Sequence, residues 1–290
     1  MTGFYGNGAA AGTDPEPQAH KSGVHFSYSE LWDLETNYYQ NYLYPNNLKQ
    51  VNMVNSTLFA EDVQGRVDVT REFYGRELNT EYVFGLFSDP NQFSLLGIPV
   101  AYEIQKFAAY DNIAATSTKV TFNHTYIGFL TPVVIDTFLT FNDEGQIWQY
   151  DAVFKWMNGW LDVLVRETQK KYNASTPKEA ENILRDIMVS STCQVHEDHC
   201  HGDDQQYDSF EACVDYLTNE IRLGTAYELG ADTLVCRTLH KVMLSFRPKV
   251  HCPHIGPSGG GMCSDDRTYV GVIEEEYFTH TPFVSSREEK

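Results

Sequence analysis

Ile135-Asp-Thr-Phe-Leu-Thr-Phe-Asn-Asp-Glu-Gly-Gln-Ile-Trp-Gln-Tyr-Asp151 decides how the chain is read. On both sides of Asn142-Asp-Glu-Gly145, β-branched and aromatic residues alternate with polar ones. That is the pattern of two antiparallel strands joined by a turn. Residues 132–141 make the leading strand and 146–156 the returning one. With Asn142 opposite Gln146, Thr140 faces Trp148, Phe138 faces Tyr150 and Asp136 faces Ala152. Alternation then gathers Asp136, Phe138, Trp148, Tyr150, Phe154 and Trp156 on one aromatic face. The other face carries Thr137, Leu139, Gln149, Asp151 and Lys155 and is wetter. A register change of one residue would alter the cross-strand pairs.

Working outward, residues 99–107 and 113–123 alternate in the same way and supply two more strands. Upstream the spacing is helical. A helix opens at Ser27 or Ser29, carries Leu31, Leu34, Tyr38 and Tyr42, and stops at Pro45. A second holds Leu48 and Val51. Residues 69–73 and 82–87 suggest a third, broken at Gly75. Downstream of Asn158 helices return. Thr176-Pro177-Lys178-Glu179 is a capping box with proline at the first helical position. Asp208-Ser-Phe-Glu211 opens another helix, and residues 231–246 a further one. Helices, then an antiparallel meander, then helices define an α+β chain. The expected organisation is a flexible tail over 1–24, a main domain over 25–165 and a helical extension over 166–290.

The chain has 290 residues, 42% of them hydrophobic, and a net charge of −19. It is long and apolar enough to bury a core, which excludes a disordered chain. The negative surface disfavours nucleic acid as a partner. No apolar run is long enough for a membrane span.

All six cysteines fall in the extension: Cys193, Cys200, Cys213, Cys236, Cys252 and Cys263. An even number in one segment reads as a disulfide framework, whose pairing order alone does not assign. Metal is the rival reading, because His196, His199 and His201 flank Cys200 while His251 and His254 flank Cys252. The long, irregular cysteine gaps favour disulfides and no metal. Cysteine pairing in turn favours the secretory lumen or the outside of the cell, although residues 1–23 lack the apolar stretch of a signal peptide. Reduced cysteines would instead mean the cytoplasm. Asn55, Asn123 and Asn173 each begin a glycosylation sequon.

Leu58-Phe-Ala-Glu-Asp-Val63 after helices, and the 135–151 hairpin after strands, resemble the NTF2-like superfamily in its SnoaL-like branch. The resemblance covers about residues 25–160. It implies a cone, with N-terminal helices over a curved antiparallel sheet and a pocket between them. The cysteine-rich extension is similar to that of fungal extracellular proteins, above all in His251-Cys-Pro-His-Ile-Gly-Pro-Ser-Gly-Gly-Gly-Met-Cys263. The superfamily implies a repertoire: cofactor-free dehydratases, isomerases and cyclases of natural products, and non-catalytic binders of small molecules. No partner other than a small hydrophobic substrate is implied, and a homodimer stays open.

Inside such a cone Asp136 would be an isolated acid among aromatics. Burial would raise its pKa into the range of a general acid or base. The alternative is a carboxylate neutralised by a backbone amide, Lys155 or Arg71. Tyr150 is placed to orient or protonate an oxygen. His124 is a second acid–base candidate, and Asp151 replaces Asp136 if the inner face is the other one. Tyr38, Tyr42, Tyr102, Phe138, Trp148, Phe154 and Trp156 are the expected substrate-lining residues. The expected activity is cyclisation, isomerisation or dehydration of a small hydrophobic natural product, pericyclic chemistry included. The alternative is a secreted small-molecule-binding protein.

Overall fold

Ser27 caps the first helix. The computed structural model describes residues 24–280 and 283, so the tail expected over 1–24 lies, Val24 apart, outside the described residues. The Ser27 hydroxyl accepts from the Glu30 amide and the Glu30 carboxylate accepts from the Ser27 amide. This reciprocal box satisfies two helix-start donors. The helix, α1 (Tyr28–Tyr42), buries Leu31, Glu35, Tyr39 and Tyr42. α2 (Asn46–Asn52) follows after a short turn.

The next segment departs from expectation. Residues 69–73, read as the front of a helix, belong to a turn and a strand. β1 (Phe59–Val67) and β2 (Glu72–Tyr74) pair antiparallel, and helix α3 (Arg76–Phe84) starts only after Gly75. Gly75 sits at φ 85°, a conformation that breaks helical continuity and favours glycine. The expected strands are all present as β3 (Ile98–Tyr110), β4 (Ile113–His124), β5 (Phe129–Phe141) and β6 (Ile147–Phe154). The six-stranded sheet runs β2-β1-β6-β5-β4-β3. β1 and β6 are parallel and every other neighbour is antiparallel. Helices α1 and α3 lie over its inner face, the layering expected of an NTF2-like cone.

The decisive hairpin keeps its turn and changes its register. The Asn142 amide donates to the Gln146 carbonyl and Phe141 pairs with Ile147, as expected. The next pair is Thr140 with Gln149, so Trp148 is an extra residue in β6. Beyond this bulge Leu139 faces Tyr150, Thr137 faces Ala152 and Ile135 faces Phe154. A bulge changes which residues share a face. Tyr150 and Phe154 stay inside, but Ile135, Thr137 and Leu139 join them, and Asp136 and Phe138 turn outward.

The rest of the chain is helical: α4 (Trp160–Tyr172), α5 (Pro177–His199), α6 (Phe210–Asn219), α7 (Leu234–His240), α8 (Pro248–Ile255) and α9 (Tyr269–Glu274). Thr176 and Ser209 cap α5 and α6 through their hydroxyls. Disulfides join Cys193 to Cys213, Cys200 to Cys252 and Cys236 to Cys263. Such bridges fit an oxidising compartment. One hydrophobic core runs through both parts of the chain, with Leu184, Met188 and Leu234 packed into the same cluster as Phe59 and Phe84. Arg71, after β1, donates to the carbonyls of Gly230, Met262 and Ser264 and pairs with Asp266. After α9 the chain crosses the outer face of the sheet. There the Gln64 amide donates to the Tyr277 carbonyl and the His280 ring stacks on Trp148. Among the described residues no helix is long and apolar enough to cross a membrane.

Candidate functional site

Helices α1 and α3 and the inner face of the sheet enclose an apolar cavity of about 70 Å³. Tyr38, Tyr39 and Tyr42 of α1 form one wall, and Thr137, Leu139 and Tyr150 form part of the sheet side. Leu229 and Leu239, from the cysteine-rich part, help close it. At about 10–15 Å³ per water, the space holds a few waters, so a larger ligand needs side-chain movement. Gly65 of β1 lets the wall form. A Cβ there would lie 2.2 Å from the Tyr150 ring and 2.3 Å from the Asn79 side chain. The Tyr150 hydroxyl is buried with no hydrogen-bond partner among the described residues, and burial pushes its pKa up.

Behind Tyr39 and Thr137 lies an acid that the sequence reading did not name. Glu35 is 0% exposed. Its Oε1 lies 3.2 Å from the Thr116 hydroxyl, which lies 2.7 Å from the Thr137 hydroxyl. Its Oε2 has no partner among the described residues. The Tyr39 hydroxyl points among Thr116, Thr118 and Thr137 without a hydrogen bond of standard geometry. Burial raises the Glu35 pKa to about 8, against the lowering pull of Thr116. Removing a carboxyl from water disfavours its charge, so Glu35 is mostly neutral at neutral pH. A chain of hydroxyls therefore links a neutral acid to the cavity through Thr137.

The sequence-derived candidates divide. Tyr38, Tyr42, Tyr150 and Phe154 line the cavity. Tyr102 does not, but it stacks on Tyr39 with ring centres 5.3 Å apart. Asp136 as the pocket acid is corrected: the bulge turns it outward, and its Oδ2 lies 3.1 Å from Lys155 Nζ, one of the partners weighed against catalysis. Phe138 is exposed on the same outer face, and Trp156 lies beyond β6 at 78% exposure. Trp148 is the bulged residue; its Nε1 donates to Asp62. Asp151 is also outside the cavity, held by Arg66, whose Nε donates to Oδ1 at 3.3 Å. His124 is buried but packs away from the cavity. Its Nε2 donates to the Leu95 carbonyl at 3.0 Å, its ring stacks on Phe129, and burial lowers its pKa to about 4. His196, on α5, accepts from the Gln206 and Tyr207 amides. Asn55 and Asn173 are exposed, and Asn123 is half-buried within the ladder.

Glu35 carried a sequence signal. Leu31, Glu35, Tyr39 and Tyr42 recur at steps of four, four and three, one helical face with an acid in it.

Two family models cover this architecture: the BfoA N-terminal domain matches residues 36–152 and the BfoA family C-terminal domain residues 154–266. The chain belongs to the BfoA family. It is 49% identical over 257 residues to "Aurasperone B biosynthesis cluster protein A" of Aspergillus niger, covering 88% of this chain and 84% of that protein. It is 47% identical over 281 residues to "Bifonsecin B biosynthesis cluster protein A" of Aspergillus brasiliensis, covering 96% and 94%. Among solved structures, an NTF-2-like protein of unknown function from Burkholderia xenovorans aligns at TM-score 0.31 and 11% identity, over 43% of this chain and 83% of its own. A protein with a ketosteroid isomerase-like fold from Catenulispora acidiphila, solved with trimethylamine, aligns at 0.34 and 13%, over 43% and 87%. Both are too distant to bear on the site. In this BfoA-family chain the cavity is assembled from both matched regions, since Leu229 and Leu239 lie in the second.

Proposed function

We propose that this BfoA-family chain is a cofactor-independent enzyme of natural-product biosynthesis. It transfers a proton within a small hydrophobic substrate, and the outcome is dehydration, isomerisation or cyclisation. The observation that carries the reading is Glu35: a fully buried carboxyl, pKa about 8, wired by Thr116 and Thr137 to an apolar cavity. A neutral carboxylic acid is a proton donor with a pKa near the working pH, where general acid catalysis is most effective. The proton passes from Glu35 to Thr116, from Thr116 to Thr137, and from Thr137 to an oxygen of the substrate; the hydroxyl hydrogens reorient as it moves. The proton lost from a substrate carbon returns through Thr137 and Thr116 to the Glu35 carboxylate, which restores the neutral acid. Tyr150, whose hydroxyl lacks a hydrogen-bond partner among the described residues, orients an oxygen of the substrate. The aromatic walls hold a flexible substrate in a reactive shape, which alone lowers a cyclisation barrier. The relatives named for biosynthesis clusters support a role in secondary metabolism.

The test uses metabolites from a producing strain that lacks this gene. Purified protein should convert an accumulated compound to one lacking a water or to an isomer of equal mass, read by liquid chromatography–mass spectrometry. Glu35→Gln, with its fold intact, should lower the rate by about 10²–10⁴-fold, the usual worth of a positioned acid. Unchanged turnover in Glu35→Gln would remove Glu35 from the mechanism. A scarcely polar wall also suits a binding protein. That reading predicts ligand retained through purification and no turnover by the wild type. In both readings the chain matures in a secretory lumen, with exposed Asn55 and Asn173 as glycan acceptors. A glycosidase that leaves the native protein's mobility unchanged would contradict glycosylation.

A further inference from the structure

Behind the cavity wall, α7 and α8 bring three buried histidines together, and the proposed proton transfer uses none of them. His240, His251 and His254 are 2%, 0% and 5% exposed, and one ring nitrogen of each lies within 4.8 Å of the others. His251 and His254 are three residues apart on α8 and project from one side of it. Their Nδ1 atoms are 3.2 Å apart. The remaining nitrogen of His251, Nε2, lies 3.1 Å from Glu81 Oε2, and the Arg247 guanidinium holds the other Glu81 oxygen at 2.9 Å. His240 Nδ1 lies 3.1 Å from the Tyr82 hydroxyl.

We propose that His240, His251 and His254 form a site for a divalent metal ion of the zinc class. Two nitrogens bound to one tetrahedral zinc at about 2.0–2.1 Å stand about 3.4 Å apart, and the His251–His254 pair is already at that spacing. Glu81 gives His251 its metal-binding form. A carboxylate that accepts from Nε2–H leaves the Nδ1 lone pair for the metal and fixes the ring's orientation. Tyr82 holds the His240 ring from α3 in the same manner. The Cys236 and Cys263 sulfurs also approach His240, but they form a disulfide, and the thiolate is the ligating form of cysteine. Three imidazoles remain, with a fourth position for water. Such a set selects zinc, copper, nickel or iron over magnesium and calcium. Of the two histidine groups that flank cysteines in the sequence, the site takes His251 and His254 and adds His240, whereas His196 of the other group is occupied by backbone amides. It stands independently of Glu35.

The test reads metal rather than turnover. Full-length protein with its disulfides intact is analysed for metal, stripped with dipicolinate and titrated with Co²⁺. The expected result is one equivalent bound per chain, with visible d–d absorption that added Zn²⁺ displaces. His251→Asn combined with His254→Gln should abolish uptake. Glu81→Gln should weaken it by about 10–100-fold, the usual effect of losing an outer carboxylate, and serves if the double variant fails to fold. His199→Ala with His201→Ala should leave uptake unchanged. A wild type that binds neither ion, uptake undiminished by Glu81→Gln or the double variant, or uptake lost with His199 and His201 would each overturn the site.

Discussion

Glu35 links the local chemistry to a measurable property of the whole chain. Its pKa is about 8 folded against an ordinary 4.5, so the folded state binds more protons than the unfolded state between those values. Stability from this group is therefore full below about pH 4.5, falls as pH rises, and is lost above about pH 8. Glu35→Gln removes the dependence. The variant should gain on the wild type by a few kcal/mol between pH 5 and 8 and hold that gain beyond, as read by urea unfolding at several pH values. A difference that does not change with pH would contradict the burial argument. Asp136 is the contrasting case. Its pair with Lys155 is partly exposed, and such pairs are worth about 0–1 kcal/mol. Asp136→Asn should leave both turnover and the urea midpoint nearly unchanged. Gly65 has no space for a methyl group against Tyr150 and Asn79. Gly65→Ala should cost about 1–3 kcal/mol by overpacking, seen as a lower denaturation midpoint. The acid itself was hard to read in the sequence because a glutamate in an amphipathic helix ordinarily marks the wet edge. Only its position between Leu31 and Tyr39 says otherwise.

At the scale of elements, the meander was legible because β3 to β6 alternate over long runs and Asn142–Gly145 is a strong turn signal. β1 and β2 were not. Gln64-Gly65-Arg66 breaks the alternation of β1, and β2 has three residues. β1 also pairs parallel with β6, a long-range contact that no local pattern announces. The largest consequence came from one residue. Trp148 as a bulge reverses which β5 residues face the cavity, while the turn stays as expected. Deleting Trp148 removes the extra residue, so Phe141–Ile147 and Thr140–Gln149 become successive pairs and Leu139 still faces Tyr150. The deletion should keep the cooperative fold and the ordered aromatic packing, read as near-ultraviolet circular dichroism that retains its aromatic bands apart from the lost tryptophan. Loss of that spectrum would contradict the bulge.

At the scale of the molecule, the cysteine-rich part acts as a wall of the cone. The sequence reading set a boundary at residue 165, yet Leu184 and Leu234 complete the core under the sheet and Leu239 closes the cavity. Composition showed where the cysteines lie but not what they pack against, because a shared core depends on tertiary contact. A chain ending at residue 165 would expose that core to water at about 25 cal/mol per Å² of apolar surface. It should be insoluble or lack a cooperative unfolding transition. A soluble, cooperatively folding fragment would show instead that the two parts are independent.

A neutral carboxylic acid, Glu35, stands beside the cavity near neutral pH. ¹³C NMR of protein labelled at the glutamate carboxyls tests it directly, with Glu35→Gln used to assign the resonance. One carboxyl should titrate near pH 8 and disappear in the variant. A Glu35 resonance that titrates near its ordinary 4.5 would contradict it.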